Sequence, residues 1–240
     1  MYLNEMIIRR RSVRKYQDRP VSEELLHRIM TFCKNARPLY PDIQTAAKLV
    51  SKEQVRFYLP WKAPHLIAVY SENKPGYGEN VGFLFQQVDL YIQSLGLGSC
   101  WMGLGKLRDP QPAPEGMEFV ILIAFGHPAD TPCRNTPTDF KRNAPANIAD
   151  YEDPRLEPAR LAPSSTNSQP WYFVHENDTV HAYCSQQGIL RHKMLGVMNR
   201  IDMGIALGQL YVANPVGFRF FTADTPPAVK GCAYTGSFTL

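Results

Sequence analysis

Two short stretches, near residue 10 and near residue 165, carry side chains that suit the binding of an anion. Residues 161–173 read LAPSSTNSQPWYF. The hydroxyl, amide and backbone N–H groups of the first half can turn toward an anion. Pro170 and the aromatic residues after it predict the start of a strand. By composition alone, an ordinary turn between a helix and a strand explains the stretch as well.

The second stretch is basic and lies at the other end of the chain. Residues 8–16 read IRRRSVRKY, with Ser12 among Arg10, Arg11 and Arg14. A guanidinium offers planar, paired donors to a phosphate or a carbonyl and keeps its charge. The alternative for this stretch is a solvated basic helix end or a localisation-like patch.

The whole chain has the composition of an ordinary globular protein. It has 240 residues, and 26 Lys and Arg exceed 22 Asp and Glu by only +4. This charge suits anionic small molecules and predicts no nucleic-acid partner. The longest apolar run is too short to span a membrane, and the N-terminus lacks a signal-peptide pattern. Five cysteines without a CxxC pair predict neither a disulfide framework nor a metal site. We therefore expect a cytoplasmic protein.

Hydrophobic periodicity predicts the elements that must position the two stretches. Ser22 is expected to cap a helix that stops before Pro38, and Ser51 to begin a short one. Further helices are predicted at residues 79–95, 155–162 and 194–213. Strands are predicted at residues 47–50, 65–70, 119–125, 171–175, 179–184, 218–222 and 233–240. The tight turn at Asn177-Asp178 joins two of these strands.

Two segments need separate interpretation. Residues 96–103, GLGSCWMG, close a helix and open a strand, which is the wrong context for a dinucleotide-binding fingerprint. Their glycines more plausibly let the backbone approach a flat ligand. Residues 129–158 are rich in proline and are expected to wrap rather than pack. Lys141 or Arg142 could reach a phosphate from there, although solvation is the simpler interpretation.

The two halves of the chain repeat the same order of elements. Each has a short helix, a strand, a long helix ending near a glycine, and two more strands. Residues 87–98, QVDLYIQSLGLG, resemble residues 207–218, LGQLYVANPVGF, only faintly. We expect a first half at residues 1–130, a linker at 131–154 and a second half at 155–240.

Three motifs together resemble the FMN-dependent nitroreductase family. They are the R-R-S-x-R run at residues 10–14, the Gly-rich strand at 96–103 and the P-S-S-x-N-S-Q-P-W loop at 163–171. In that family a homodimer binds each FMN between its subunits, and the loop follows the first long helix. Here that place holds NARPLYPDI, residues 35–43, and the loop occurs in the second half, which lacks its own R-R-S-x-R run. This arrangement resembles the tandem, single-chain branch of the family found in thermophilic bacteria.

The resemblance implies an α+β, nitroreductase-like fold. Two degenerate repeats would form an internal pseudodimer, with mixed, mainly antiparallel sheets flanked by helices. One FMN is expected per chain, and the chain is expected to act as a monomer. Arg10, Arg11, Ser12 and Arg14 would hold the FMN phosphate and the polar edge of its ring. The cofactor-binding loop would contribute Pro163, Ser164, Ser165 and Asn167.

The resemblance also implies the catalytic positions. Met102 and Gly103 match the strand whose backbone N–H approaches the flavin N5, and Arg142 loosely matches a basic residue of the family. Arg14 would stabilise the reduced flavin electrostatically. NADH or NADPH would deliver hydride, and a flat acceptor such as a nitroarene or quinone would follow in a ping-pong cycle. The alternatives are a flavin-binding or structural protein that has lost turnover, and another flavin chemistry such as dehydrogenation or dehalogenation.

Overall fold

The fold combines two antiparallel sheets with two long helices that cross each other. A computed structural model of the chain describes residues 3–56, 63–108, 113–130, 134–185 and 189–240, without the side chains of residues 189–195. Cys133 and the start of the predicted linker, residues 131–133, lie outside the described residues. Within the described part, no helix is long and apolar enough to cross a membrane.

Two helices open the chain, and groups of two or three strands then follow one another with a helix between the groups. The α-helices of the described residues are α1 (Leu3–Arg9), α2 (Glu23–Asn35), α3 (Tyr77–Ser94), α4 (Glu157–Leu161) and α5 (Ile189–Ala213). The strands are β1 (Thr45–Val50), β2 (Val55–Arg56), β3 (His65–Ser71), β4 (Gly98–Met102), β5 (Lys106–Leu107), β6 (Glu118–Gly126), β7 (Trp171–Glu176), β8 (Thr179–Ser185), β9 (Arg219–Phe221) and β10 (Cys232–Thr239).

Both four-stranded sheets have the same arrangement. The first sheet has the order β1-β3-β6-β4, and the second has the order β7-β8-β10-β9. In each, the strands lie in the order first, second, fourth and third along the chain, and a long helix joins the second strand to the third. All paired strands in these sheets are antiparallel. Mixed sheets were predicted; among the described residues, parallel pairing occurs as the isolated bridges Ser12 to Ser99 and Ala149 to Phe173.

Helices α3 and α5 cross at glycines. A Cβ added to Gly82 would lie 2.0 Å from the carbonyl oxygen of Ile201, and a Cβ added to Gly204 would lie 2.0 Å from that of Glu79. Each contact is the reverse of the other, because Glu79 and Ile201 both lie three residues before the glycine of their own helix. This reciprocity is the pattern of an interface between two equivalent surfaces. It also gives a register in which positions on α3 and α5 can be compared.

Local signals explain the main elements. The Ser22 side chain accepts a hydrogen bond from Leu25 N at 3.4 Å and caps α2. Helix α3 is buried along most of its length, and its buried polar residues Asn80, Gln87 and Asp89 form hydrogen bonds with other parts of the chain. Gly96 follows it with φ +78°, a conformation that glycine adopts readily at the end of a helix.

Most predicted elements are confirmed to within two residues, and four findings differ. Strands β2 and β5, which pair with each other in a two-stranded ribbon, were not predicted. Helix α1 was not predicted. Helix α5 begins at residue 189, five residues before its predicted start. The segment expected to wrap without packing contributes buried side chains to the core at Phe140, Ile148 and Ala149. The apolar residues in this proline-rich segment are spaced irregularly, so periodicity does not reveal that they pack.

Candidate functional site

The N-terminal basic segment is held along the edge of the first sheet. Ser12 forms a parallel bridge with Ser99 of β4, and Val13 N donates to Ser99 O at 2.9 Å. Val13 packs onto Gly98, where an added Cβ would lie only 2.6 Å from a Val13 methyl carbon. Gly98 therefore admits a neighbouring segment of the chain, whereas the sequence suggested that glycines here would admit a ligand.

The serine-containing loop, residues 163–169, has an unusual backbone. Thr166, Asn167 and Gln169 have φ values of 53°, 58° and 48°. Positive φ is costly for residues other than glycine, most of all for a β-branched threonine. The Ser164 hydroxyl accepts from Gln169 N at 2.9 Å, and Ser165 N donates to both carboxylate oxygens of Asp202 at 3.0 Å. The loop is thus held by its own side chains and by helix α5.

A cavity of about 430 Å³ separates this loop from the N-terminal segment and the end of β4. Its volume lies within the range of small-molecule sites. The wall is mostly apolar, with a few hydroxyl groups and the ionisable side chains of Arg14 and Asp202. The lining residues are Ser12, Arg14, Cys100, Trp101, Met102, Gly103, Leu104, Gly105, Ile121, Pro163, Ser164, Ser165, Thr166, Met198, Ile201, Asp202 and Ile205.

Seven of the residues predicted from sequence line this one cavity, although they come from distant parts of the chain. They are Ser12, Arg14, Met102, Gly103, Pro163, Ser164 and Ser165. Met198 closes the gap between the two sides. Its Sδ accepts from the Ser165 hydroxyl at 3.4 Å, and its Cε would lie 3.0 Å from a Cβ on Gly103. The remaining four predicted residues, Arg10, Arg11, Asn167 and Arg142, lie outside the cavity wall.

Arg10 is buried in the interior, which differs from the expected contact with a ligand. Only 1% of its surface is exposed, and its Nε donates to Asp89 Oδ2 at 2.9 Å. Asp89 also accepts from the Ser99 hydroxyl at 2.6 Å. Arg10 Nη2 reaches the Ser12 hydroxyl at 3.4 Å. Arg10 therefore positions Ser12 and β4 from behind, because a buried charge needs a charged, hydrogen-bonded partner.

Arg11 faces away from the cavity. Its Nη2 donates to Asp130 at 2.7 Å, and its backbone N donates to Gln93 Oε1 at 3.0 Å. The residues of the R-R-S-x-R run therefore lie in three different environments. Arg10 is interior, Arg11 is paired at the surface, and Ser12 and Arg14 reach the cavity.

Arg142 and Asn167 bind each other beside the serine-containing loop. Arg142 Nη1 donates to Asn167 Oδ1 at 2.6 Å, while the buried Arg142 Nε has no hydrogen-bond partner. Burial, together with the nearby charges of Arg10, Arg134 and Arg160, lowers the pKa of Arg142 to about 10. A guanidinium among like charges, with one donor unused, is poorly compensated by the protein alone.

Asp202 is a cavity residue that the sequence did not single out. It lies in α5, only 3% exposed, among the apolar residues Ile201 and Ile205 of the predicted helix. Burial raises its pKa to about 7, and the hydrogen bond from Ser165 N opposes that shift. The sequence feature that could have indicated this residue is one acidic side chain within the apolar stripe of the predicted helix.

The corresponding region of α3 has no such cavity residue. Asn80 lies two residues before Gly82, as Asp202 lies two residues before Gly204. Its Oδ1 accepts from Leu39 N at 2.8 Å and from Tyr40 N at 2.9 Å, and its Nδ2 donates to Ile43 O at 3.3 Å. Asn80 therefore holds residues 39–43 much as Asp202 holds the serine-containing loop.

Comparison with known proteins agrees with the family resemblance of the three motifs. Residues 2–214 match the profile of the family described as "Putative TM nitroreductase". The chain belongs to the nitroreductase family. Among curated nitroreductase relatives, the chain is 31% identical over 149 residues to the "Putative NADH dehydrogenase/NAD(P)H nitroreductase" of Methanothermobacter thermautotrophicus. This match covers 53% of the chain and 78% of that protein.

Solved nitroreductase structures agree in fold. The structure described as a "putative nitroreductase" from Thermotoga maritima aligns with a TM-score of 0.67 at 20% identity, over 99% of this chain and 92% of that one. A nitroreductase family protein of Clostridium difficile 630 aligns with a TM-score of 0.51 at 19% identity, over 64% of this chain and 99% of that one. At these identities the likeness supports the α+β nitroreductase-like fold.

Proposed function

We propose that this protein is an FMN-dependent NAD(P)H oxidoreductase with one flavin site per chain. The observation that carries the proposal is the single cavity lined by Ser12 and Arg14 on one side and by residues 163–166 on the other. Two anion-binding motifs about 150 residues apart in sequence thus face the same space. Membership of the nitroreductase family and the name of the archaeal relative support the same chemistry.

The residues around the cavity suit the two ends of FMN. Arg142 has an unused buried Nε and like-charged neighbours, so a phosphate beside it and Asn167 would supply the missing negative charge. Backbone N–H groups and hydroxyls of residues 163–166 would hold the ribityl chain. The apolar wall at Met102, Gly103 and Ile205 suits a flat ring.

When bound, FMN supplies two-electron hydride chemistry, and the protein positions it and adjusts its charge. Arg14 is the cation of the cavity wall that would stabilise negative charge on the ring. The apolar lining would admit the nicotinamide of NADH or NADPH and then a flat acceptor, such as a nitroaromatic compound or a quinone. Their successive use of one space gives the ping-pong pattern.

We further propose that the chain acts as a monomer built as an internal pseudodimer. Residues 1–130 and 155–240 would be its halves, joined by residues 131–154. The shared strand order of the sheets and the reciprocal contacts of Gly82 and Gly204 support this division. Because residues 35–43 lack the serines, only one of the two related positions is expected to bind FMN.

The direct test is the absorbance spectrum of the purified protein, followed by anaerobic addition of NADH or NADPH. We expect flavin absorbance that corresponds to one FMN per chain and that is bleached by at least one nicotinamide. A colourless protein that takes up no added FMN would contradict the proposal. A flavin-loaded protein that neither nicotinamide reduces would instead support a binding protein without turnover.

Two variants test the assigned cations. Arg14→Ala is expected to weaken FMN binding or slow its reduction, and Arg142→Gln is expected to weaken FMN binding by about tenfold or more, because each removes a charge beside the cofactor. Arg155→Gln is the matched control, since Arg155 pairs with Asp153 outside the cavity. Titration of the apoproteins with FMN measures all three affinities. Equal affinities of Arg142→Gln and the control would remove Arg142 from the phosphate site.

A further inference from the structure

Asp202 performs a task that does not require a carboxyl group. On α3, Asn80 holds the backbone of residues 39–43 through three hydrogen bonds with a neutral amide. On α5, Asp202 holds its loop through Ser165 N, which donates to both carboxylate oxygens at 3.0 Å, and the Ser168 hydroxyl is a second donor beside it. A neutral amide could accept that hydrogen bond without the cost of burying a charge.

The two positions differ in what they face. Asp202 lines the 430 Å³ cavity, whereas Asn80 contacts the backbone of its own loop through both ends of its amide. The titratable groups that border Asp202 from other elements are Arg14 and Cys100 across the cavity and Cys184 on β8. Burial raises the pKa values of Cys100 and Cys184, so these thiols stay neutral. Asp202 is therefore the acid of this wall that can change its protonation state near neutral pH.

We propose that Asp202 is the proton donor to the acceptor reduced in this cavity, an inference that rests on the proposed oxidoreductase function. A quinone that becomes a quinol gains two electrons and two protons. Hydride that originates from the nicotinamide brings both electrons and one proton. The second proton leaves the Asp202 carboxyl group, where an O–H bond breaks as one forms on the acceptor oxygen. One proton taken up from the solution then restores the carboxyl group, so that the cycle consumes one solvent proton for each quinone reduced.

The position of Asp202 suits this role. The carboxyl group is shielded from bulk water yet belongs to the cavity wall, and Ser165 N fixes its orientation. Burial raises its pKa to about 7, and a proton donor works best when its pKa lies near the working pH. The hydrogen bond from Ser165 N also attaches Asp202 to the loop that would hold the cofactor.

The substitution that separates these roles is Asp202→Asn. It keeps an oxygen for Ser165 N, as Asn80 does for Leu39 N, but it cannot donate a carboxyl proton. We expect FMN affinity within about threefold of wild type and kcat/KM for 1,4-benzoquinone lowered about 100-fold at pH 6, within the usual range for general acid catalysis. The wild-type kcat/KM should fall above pH 7, and this fall should be absent in the variant. Asp178→Asn, in the turn between β7 and β8, is the control and should match wild type.

A second readout needs no cofactor. A carboxyl whose folded pKa is raised contributes stability below its unfolded pKa, near 4, and that contribution is lost as the pH rises through the folded pKa, about 7. The melting temperature of the wild-type apoprotein should therefore fall relative to that of Asp202→Asn between pH 4 and pH 7. Thermal unfolding of both proteins across this range measures the difference.

The outcomes distinguish the two proposals. A wild-type protein that binds no FMN overturns both. If the wild type turns over and Asp202→Asn has the same rate and the same pH profile, only the role of Asp202 is overturned. A melting-temperature difference that is independent of pH also overturns it, because Asp202 would then not change its protonation state in this range.

Discussion

The regions beside α5 and beside α3 use the same backbone frame, but only the region beside α5 opens into the cavity. In the register set by Gly82 and Gly204, Met198 corresponds to Gly76. From the loop contacts of Asn80 and Asp202, Thr166 corresponds to Tyr40. The Tyr40 ring lies over Gly76, with Cε2 2.8 Å from where a Cβ would be, and packs edge-on against Phe220 at 5.4 Å.

The difference between these regions lies in side-chain volume. Beside α3, an aromatic ring on the loop and another on β9 occupy the space that short hydroxyl side chains leave open beside α5. The pKa of the Tyr40 hydroxyl is raised to about 12, and burial of the side chain is the largest cause. Two regions with the same backbone arrangement can thus keep the same packing while side chains fill one of them and leave the other open.

A second difference concerns a pair of glutamines. Gln87 donates to Arg37 O at 2.8 Å and accepts from Arg37 N at 3.3 Å. Gln209 holds the same place on α5, but its buried side-chain oxygen and nitrogen have no hydrogen-bond partner. The residue that corresponds to Arg37 is Pro163, which has no N–H to donate. The serine-containing loop is therefore tied to its long helix by Asp202 without help from the glutamine.

The largest expected effect tests the shared frame. Gly82→Ala and Gly204→Ala should each lower the free energy of unfolding by about 3 kcal/mol or more, because each Cβ would meet backbone of the other helix at 2.0 Å. Gly196→Ala, whose Cβ would meet nothing within 4 Å, should instead gain roughly 0.5–1 kcal/mol. Urea unfolding compares the three. Similar stabilities for all of them would refute the reciprocal crossing.

The next effect tests the filled region. Tyr40→Ala should lower the free energy of unfolding by about 2–3 kcal/mol, somewhat less than the loss of a fully buried aromatic residue. FMN binding should not change, because Tyr40 lies on the side without the serines. Phe221→Ala, at an exposed neighbour of Phe220, is the control and should cost less. Altered FMN affinity in Tyr40→Ala would show that the two regions are not independent.

The glutamine pair should respond in opposite directions. Gln87→Leu removes the partners of Arg37 and should cost about 1–2 kcal/mol in the free energy of unfolding. Gln209→Leu replaces a buried amide without partners and should be neutral or stabilising by about 1 kcal/mol. Chemical denaturation of both variants measures the contrast. Equal losses would mean that Gln209 has a partner in solution that the protein chain does not supply.

The smallest effect concerns the outer edges of the sheets. On β7, His175 Nδ1 lies 2.6 Å from Asp150 Oδ1, whereas β1 presents the exposed Leu49. Burial tends to raise the pKa of Asp150, but hydrogen bonds from His175 outweigh it and lower the pKa overall. The carboxyl therefore contributes stability above its unfolded pKa, near 4, and loses it as the pH falls through the folded pKa.

Asp150→Asn should accordingly cost less than about 1 kcal/mol at pH 7, and the difference from wild type should shrink toward pH 3. Asp178→Asn serves again as the control. Thermal unfolding between pH 3 and pH 7 follows both variants. A loss at pH 3 as large as that at pH 7 would contradict the role assigned to this ionised carboxyl.

The sequence predicts the frame well because local patterns determine it. Capping by Ser22, the apolar period of α3 and the alternating strands β7 and β8 can all be recognised within short windows. Helix α1 and the ribbon of β2 and β5 are too short for a clear period. The early start of α5 lacks a capping signal, so its apolar stripe indicates the helix but not its first turn.

The site is predictable only where a motif, rather than spacing, identifies it. The hydroxyl-rich loop indicates Pro163, Ser164 and Ser165, and the basic run indicates Ser12 and Arg14. That run does not reveal that Arg10 turns inward, because the partner Asp89 lies 79 residues away. Asp202 was missed for a similar reason, since its role depends on a loop that precedes it by 37 residues.

The residues that line the cavity extend from Ser12 to Ile205 in sequence. During synthesis, the site can therefore form only after this whole length of chain has been made. A nascent chain that has produced β4 already has Ser12 in reach of Ser99, but it lacks the opposite wall until α5 has left the ribosome. Contacts of such large sequence separation form late in folding. Only a nascent chain that already includes α5 can therefore form the complete cavity. Fragments that end before α5 should be unable to sequester flavin.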